Sequence, residues 1–501
     1  MRNEKINLAL LLLFSIILSL YLFFRTYVIS LDGAFQYIPI AKDFASGLFK
    51  KGFSHNQQPL YPFLIAFIFQ WASDFELAGK WVSTLFGILL IFPAYFLGRQ
   101  IFDQRIAFLS TLLLLVHPYI RRFSADVLKE STYLFFLVAG LWFAWETIEK
   151  GRKFPFFFIP LYSAIAYLAR PDGIEVVLVV FFYVLFMRQV NGAKNKWTII
   201  LLMVLSSLLF FLPYLIYLRE TTGVWTLSRA KTMAWFLGLG ITGGETPFID
   251  KLLFSFRRLN LEIFFIVHPL YIFLAVVGLV KRSSPHFRKG EGFLLSFCIL
   301  HYAVLFLFLL NITVWVRKGA IQADYFSGRY VLPLLLFSVY WVGQGILVIH
   351  NWIDEKTGTL RLFLRSQTGN RSLIVWGILF FIVAAIVLPK TFKPQRYDRL
   401  PEKWAGVWMR NQFGKGITIF TTVPRVVYYA NGDGEYIDLN KDSFDRIMAS
   451  MVERNALYLA IEEREIIDFP KNGEAIKRDF VELARFEGKG MEKIIVYKRI
   501  Q

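Results

Sequence analysis

Residues 8–47 read "LALLLLFSIILSLYLFFRTYVISLDGAFQYIPIAKDFASG". The first part, Leu8 to Phe24, is an apolar run about long enough to cross a hydrocarbon layer of roughly 30 Å at about 1.5 Å per helical residue. Its basic start (Arg2, Lys5) is that of a signal peptide. The run is nevertheless longer than the usual apolar region of about 7–15 residues and lacks a small-residue cleavage site, so it reads as a retained first span. Shortly after it stands Asp32, a carboxylate placed beside a membrane surface. The rest of the chain decides what that carboxylate is for.

The chain has 501 residues, of which 56% are hydrophobic and 18% aromatic, with 53 phenylalanines. No soluble globular domain needs that much apolar surface. Further runs at Val331–Ile349 and Leu373–Leu388 make this a polytopic α-helical membrane protein. Spans are expected at about 6–24, 77–98, 106–118, 130–148, 155–169, 174–188, 197–218, 263–280, 292–313, 331–350 and 373–389, about eleven transmembrane helices. The net charge of +19 is scattered between spans, which argues against nucleic acid and for membrane lipid headgroups and lipid phosphates. The single cysteine, Cys298, lies in an apolar run and supports neither a disulfide framework nor a thiolate metal site.

Placing the N-terminus in the cytoplasm puts the basic connections "RQIFDQR", "EKGRK", "RQVNGAKNK" and "KRSSPHFRKG" inside, as the positive-inside bias expects, and the C-terminus outside. The short apolar stretch "PLYPFLIAFIFQWAS", 59–73, then lies along the interface instead of crossing. Thr26 to about Glu76 becomes one external loop with two interfacial helices, the first over Gly33–Ser46; further external loops run from Arg219 to Glu262 and from Thr313 to Tyr330. The division is a membrane domain, 1–389, and a small extracytoplasmic α/β domain, 390–501. In the latter, "KWAGVWMRNQF" has helical spacing, "GITIFTT", "ALYLAIE" and "KIIVYK" read as strands, and "ANGDGEY" as a turn. Without a phosphate loop, a His/Cys cluster or a nucleophile setting, it reads as a stabilising or partner-contacting domain.

The ionisable chemistry gathers at the external turns. Asp32 either caps the helix after it or acts on a substrate. "HPYIRRFSADVLKESTY" brings Arg121, Arg122, Asp126, Lys129 and Glu130 to the same side, Glu130 at a helix start where the dipole also favours a plain cap. "ARPDGI" carries Arg170 and Asp172 in a strong turn signal, and "YFSGRYVLP" sets Arg329 and Tyr330 at the mouth of a span. Charged residues within the spans read as nearly absent, which favours an enzyme at the membrane surface over a transporter with midplane polar groups.

The order of "LDGAFQY", "QPLYPFLIAF", "YFLGRQIF", "HPYIRRFSADVLKESTYLFF" and "ARPDG" over residues 6–175 resembles the GT-C membrane glycosyltransferases. Nearest in pattern is family 39 with its protein O-mannosyltransferases and lipid A aminoarabinose transferases. "GRYVLP" and the terminal α/β domain add weaker support. The resemblance implies a sugar donor on a polyprenyl phosphate and an acceptor hydroxyl on a lipid, glycan or protein at the outer face of the cell membrane. It implies an aspartate near the acceptor as base or orienting group, matched by Asp32. A second acid falls at Glu130, with Asp126 as the alternative. The family's tyrosine follows the aspartate by four residues, whereas Tyr37 here follows by five, which leaves its substrate-binding role open.

Arginines hold phosphate by charge-assisted hydrogen bonds, and Arg329, Arg170, Arg257 and Arg258 are the candidates, the loop pair being equally suited to headgroups. Tyr330 and Asp172 stand beside them as substrate-binding candidates. The phosphate leaving group needs charge stabilisation more than a proton, and the acceptor hydroxyl needs a base, for which Asp32 is chosen. One-step attack inverts the anomeric centre. No cofactor is required; Asp32 and Glu130 would allow a shared divalent cation without demanding one. The rival from another class is a transporter or flippase of lipid-linked sugars, which needs no base.

Overall fold

The computed structural model describes residues 2–151, 154–186, 196–229, 248–280, 289–310, 314–317, 320–323, 326–360 and 371–500. They form two compact units: Met1–Leu20 with Ile40–Lys393, and Tyr21–Pro39 with Pro394–Gln501. The first unit is helical because a chain this apolar, in lipid, must satisfy its backbone within each segment. Among the described residues six helices are long and apolar enough to cross a membrane, or eight if each of two bent pairs is one span. The six include Glu130–Lys150, Lys196–Thr222 and the 27-residue stretch Phe75–Ile101.

Several expected spans take a different form. The one placed at 106–118 is Gln104–Val116 followed by Pro118–Ser124 at 62°. Those at 155–169 and 174–188 are the short helices Ile159–Ala169 and Glu175–Phe186. The span at 263–280 is corrected: helix Phe248–Val267 turns by 94° into Pro269–Val280. His268 at the corner has a φ of 77°, and Pro269 cannot continue the hydrogen-bond ladder. The end of the loop read over Arg219–Glu262 is therefore largely helix, with Phe248, Ile249, Leu253, Phe256 and Phe265 exposed. Residues 59–73 form helix Leu60–Ala72, too short for a simple span and packed on helix Phe75–Leu89. The loop read over Thr313–Tyr330 holds an antiparallel hairpin, β1 (Val314–Arg317) and β2 (Ala320–Ala323). The middle of the second loop and most of "RQVNGAKNK" and "KRSSPHFRKG" lie outside the described residues.

The second unit contains a mixed sheet of five strands: β3 (Thr418–Thr421), β4 (Asp433–Tyr436), β5 (Tyr458–Glu462), β6 (Phe480–Phe486) and β7 (Ile494–Arg499), in the order β4-β3-β5-β7-β6. β3 is parallel to both its neighbours, and β7 is antiparallel to β5 and β6. Strand alternation sends Ile419, Ala460 and Val496 to one apolar cluster with Ala405 and Met409 of helix Leu400–Phe413. Phe420, Leu459, Ile461 and Tyr497 go to the other. "ANGDGEY", read as a turn, also supplies edge strand β4, and β6 is an addition to the expected strands.

Candidate active site

Helix Ile159–Ala169 stops at Arg170, whose extended backbone is the one a residue before proline prefers, and Pro171–Ile174 make a single 3-10 turn. Gly173 is required there, because a Cβ would lie 2.2 Å from the backbone of Ala166 and Tyr167. The turn folds Asp172 onto Arg170, with Nε donating to Oδ1 at 3.1 Å and Nη2 to Oδ2 at 2.9 Å, a fork-to-fork pair. The remaining Nη1 donates to the carbonyl of Arg329 at 3.3 Å. The guanidinium lies between the rings of Tyr133 and Tyr330, 4.6 and 5.0 Å from their centroids, and Arg170 is only 3% exposed. Burial works against its charge, yet the Asp172 carboxylate leaves the group above its ordinary value. Arg170 and Asp172, expected to meet substrate, are engaged with each other and pin one turn to the next.

The second turn, Gly328–Val331, is capped by Ser327, whose Oγ accepts from the Arg329 Nε at 3.3 Å. A Cβ on Gly328 would fall 2.5 Å from Ile266 and 3.0 Å from Glu262 Oε2, so glycine lets helix Phe248–Val267 close on the turn. The Arg329 side chain keeps 28% of its surface exposed, with Nη1 3.6 Å from Glu130 Oε1. Glu130 is buried at the first position of its helix, and its Oε2 has no hydrogen-bond partner among the described residues. Behind Tyr330 lies His301, whose Nε2 meets the Tyr330 carbonyl at 2.9 Å and must carry a proton, since a carbonyl only accepts. Its Nδ1 is 2.6 Å from Glu175 Oε2, and both side chains are buried. The carbonyls of residues 329 and 330 are thus each fastened by a buried side chain.

His301 and Glu175 correct the expectation that the spans are nearly free of ionisable groups, as does the Glu76–Lys80 pair at 2.9 Å in helix Phe75–Leu89. A histidine amid "FCILHYAVLF" was the available signal, for such a residue in an apolar helix needs a partner. Gln58 is a further missed junction: it donates to the carbonyl of Leu227 at 3.3 Å and accepts from Tyr214 at 3.0 Å. Asp126 is fully buried, and its Oδ1 accepts the N–H of Val127 at 2.8 Å. Arg121 is likewise buried and donates to the Leu115 carbonyl at 2.8 Å and to Ser19 at 3.0 Å. Arg258 pairs with Glu262 one turn on at 2.5 Å, and Arg257 is exposed on the same helix.

Asp32 belongs to the other compact unit. Its own backbone is helical, and its side chain makes no capping bond. The cap is Ser30, whose Oγ accepts the N–H of Gly33 at 3.1 Å. The expected helix Gly33–Ser46 consists of a π-turn, Gly33–Tyr37, running into helix Ile38–Ala45. Tyr37 is 1% exposed, whereas Asp32 is half-buried. Among the described residues no group of three His, Cys, Asp or Glu could hold a metal ion.

The whole chain superposes on ArnT from Cupriavidus metallidurans bound to undecaprenyl phosphate, with a TM-score of 0.55 at 13% identity, covering 98% of this chain and 97% of that one. It has the GT-C glycosyltransferase fold. The same GT-C architecture relates it to the oligosaccharyltransferase AglB from Archaeoglobus fulgidus, in complex with an inhibitory peptide and a dolichol-phosphate. There the TM-score is 0.55 at 11% identity, over 99% of this chain and 74% of that one. The arabinofuranosyltransferase AftD from Mycobacteria matches with a TM-score of 0.52 at 12% identity, over 98% of this chain and 40% of that one. Residues 56–217 of this GT-C chain also match the family described as dolichyl-phosphate-mannose-protein mannosyltransferase, a stretch that includes Gln58, Glu130 and Arg170. A comparison with curated protein sequences finds no match.

Proposed function

We propose that this protein is a membrane glycosyltransferase that moves a sugar from a polyprenyl phosphate to an acceptor hydroxyl on a lipid, glycan or protein. The observation that carries the reading is the contrast around Arg329: an arginine that keeps 28% of its side chain exposed on a turn whose backbone is fastened from two sides. A phosphate needs a cation whose position is already set, because less freedom is then lost on binding. The ArnT and AglB structures with polyprenyl phosphates support the same donor class.

In the reaction the acceptor oxygen attacks the anomeric carbon, and the bond from that carbon to the phosphate oxygen breaks with its electron pair left on the phosphate. Arg329, oriented by Glu130, offsets the charge developing on the leaving phosphate. The hydroxyl proton passes to a base, which the sequence resemblance assigns to the Asp32 carboxylate. The displacement inverts the anomeric centre. The proposed orientation keeps the N-terminus in the cytoplasm and the chemistry at the outer face, following the basic connections. Incubating membranes that carry the protein, and so supply acceptor hydroxyls, with a panel of undecaprenyl- and dolichyl-phosphate sugars tests the reading; consumption of one donor with release of its polyprenyl phosphate, absent from membranes without the protein, is expected, and release of none overturns it.

The buried Glu175–His301 pair favours the second reading, a transporter of lipid-linked sugars, since ionisable pairs within helices often mark a translocation path. Movement of a donor across proteoliposomes without bond cleavage would select it.

A further inference from the structure

The C-terminal unit contains a strap of polar contacts onto the short segment that ends at Asp32. Residues Tyr27–Ile29 form no sheet ladder, yet an unpaired buried backbone group is costly, and Val28 and Ile29 are 0% exposed. Side chains from the end of the sequence take these groups one after another. The Tyr27 carbonyl accepts from Lys403 Nζ at 3.2 Å, the Val28 carbonyl from Arg396 Nη1 at 2.9 Å, and the Ile29 carbonyl from Arg425 Nε at 2.9 Å. The Ile29 N–H donates to the Tyr429 hydroxyl at 2.9 Å. Upstream, Tyr27 N–H donates to the Gln395 carbonyl at 3.3 Å, and Gln395 N–H to the Arg25 carbonyl at 3.0 Å.

These side chains are themselves held. Arg425 Nη1 reaches both oxygens of Glu402 at 3.1 and 3.2 Å, and Glu402, fully buried, also accepts from Arg399 at 3.2 Å. Arg399 continues to Glu492 at 2.7 Å. Lys403 lies 5.0 Å from the centroid of the Tyr429 ring. A domain present only for bulk would cover apolar side chains; here three successive carbonyls are each taken by a cation. Ser30 caps the helical turn directly after Ile29, and Asp32 sits in that turn with helical dihedrals, so no loose joint separates the strap from the carboxylate.

We infer that the C-terminal domain positions the segment bearing Asp32, with Arg425 and Tyr429 as the positioning residues. This rests on the reading of Asp32 as the acceptor's base. The test uses the full-length protein in detergent or nanodiscs. Arg425→Lys keeps a cation for Glu402 but cannot also span to Ile29, and Tyr429→Phe removes only a hydroxyl, so both variants are expected to fold. In the double variant, hydrogen exchange of the amides at Ile29 and Gly33–Tyr37 should rise about tenfold, the scale of one or two lost hydrogen bonds. Exchange in β5 and β7 should stay as it was.

Turnover with whichever panel donor the wild type consumes should fall about tenfold, with the affinity for undecaprenyl phosphate unchanged and no further fall when the double variant is introduced into an Asp32→Asn background. Unchanged exchange at those amides overturns the inference whatever the activity. Raised exchange with full turnover, in a protein that Asp32→Asn inactivates, also overturns it. Should Asp32→Asn itself keep full turnover, the base assignment fails, and exchange alone decides whether the domain holds the segment.

Discussion

Arg170 and Arg329 stand at 3-10 turns, each turn containing a glycine that permits close packing and each at the mouth of a helix, yet their surroundings differ. Arg170 is enclosed between two tyrosine rings with all three nitrogens engaged, one of them on the backbone of Arg329 itself. Arg329 has its Nε on Ser327 and its Nη1 at a longer 3.6 Å from Glu130, and keeps 28% of its side chain exposed. Equal residue types thus differ in burial: one is enclosed in its turn, and the other keeps part of its side chain exposed. Both read as phosphate ligands in the sequence because an arginine in a short polar turn looks the same whether its donors point inward or outward.

The largest effect expected from this comparison is at Arg170→Ala, which leaves Asp172 without its partner. Removing one member of a buried pair costs about 3–5 kcal/mol, visible as a marked drop in melting temperature. Deleting both, Arg170→Ala with Asp172→Ala, should recover part of that loss; no recovery would mean that the tyrosine contacts, not the pair, hold the turn. Next comes Asp32→Asn, expected to lower turnover by about 10²-fold with melting unchanged, because Ser30 makes the cap. Near-normal turnover would send the search for the base elsewhere.

Smaller again is Arg329→Ala, which should weaken undecaprenyl phosphate binding about tenfold or somewhat more, the scale of a hydrogen bond to a charged group. Arg258→Ala should stay within about twofold, since Arg258 is partly exposed and pairs within its own helix, with Glu262 one turn away. Equal, small losses in the two variants would dissolve the distinction between a presented arginine and an ordinary one.

The smallest effect sharpens the comparison from the second unit, where partial burial acts on an acid instead of an arginine. Burial, then Glu462 and Asp438, push the Glu465 carboxyl up to about 7 from an ordinary 4.5. The folded chain therefore holds this proton more tightly than the unfolded one. Its contribution to stability is complete below about pH 4.5 and is lost as the pH rises through about 7. Glu465→Gln should flatten part of the melting decline across that window. The part is small because the group is half exposed and its charge is screened by solvent. An unaltered pH profile would show that the carboxyl titrates normally.

Much of the architecture was legible because membrane insertion depends on a local, additive property, the length of an apolar run against the thickness of a bilayer. The runs at Leu8–Phe24 and Val331–Ile349 needed no partner to be read. The break at His268 was harder, since Pro269 signals a boundary but not its angle of 94°. In the C-terminal domain the strongly apolar β3, β5 and β7 stood out, while β4, "DGEY", is mostly exposed and shows no apolar alternation.

The sequence by itself determined that the protein is a bundle of apolar helices followed by a mixed α/β domain, and that its acids and arginines lie at particular turns. Only the tertiary structure decided which of those groups remain available. Ser30 caps in place of Asp32, Asp126 closes its own turn, and Glu175 finds His301 across 126 positions of chain. Residues Tyr21–Pro39 pack with Pro394–Gln501, although nearly the whole membrane part lies between them in sequence. The reason is physical: composition and periodicity are properties of neighbours along the chain. Burial and the saturation of hydrogen bonds are properties of neighbours in space, and these separate a structural arginine or aspartate from one that can act on a substrate.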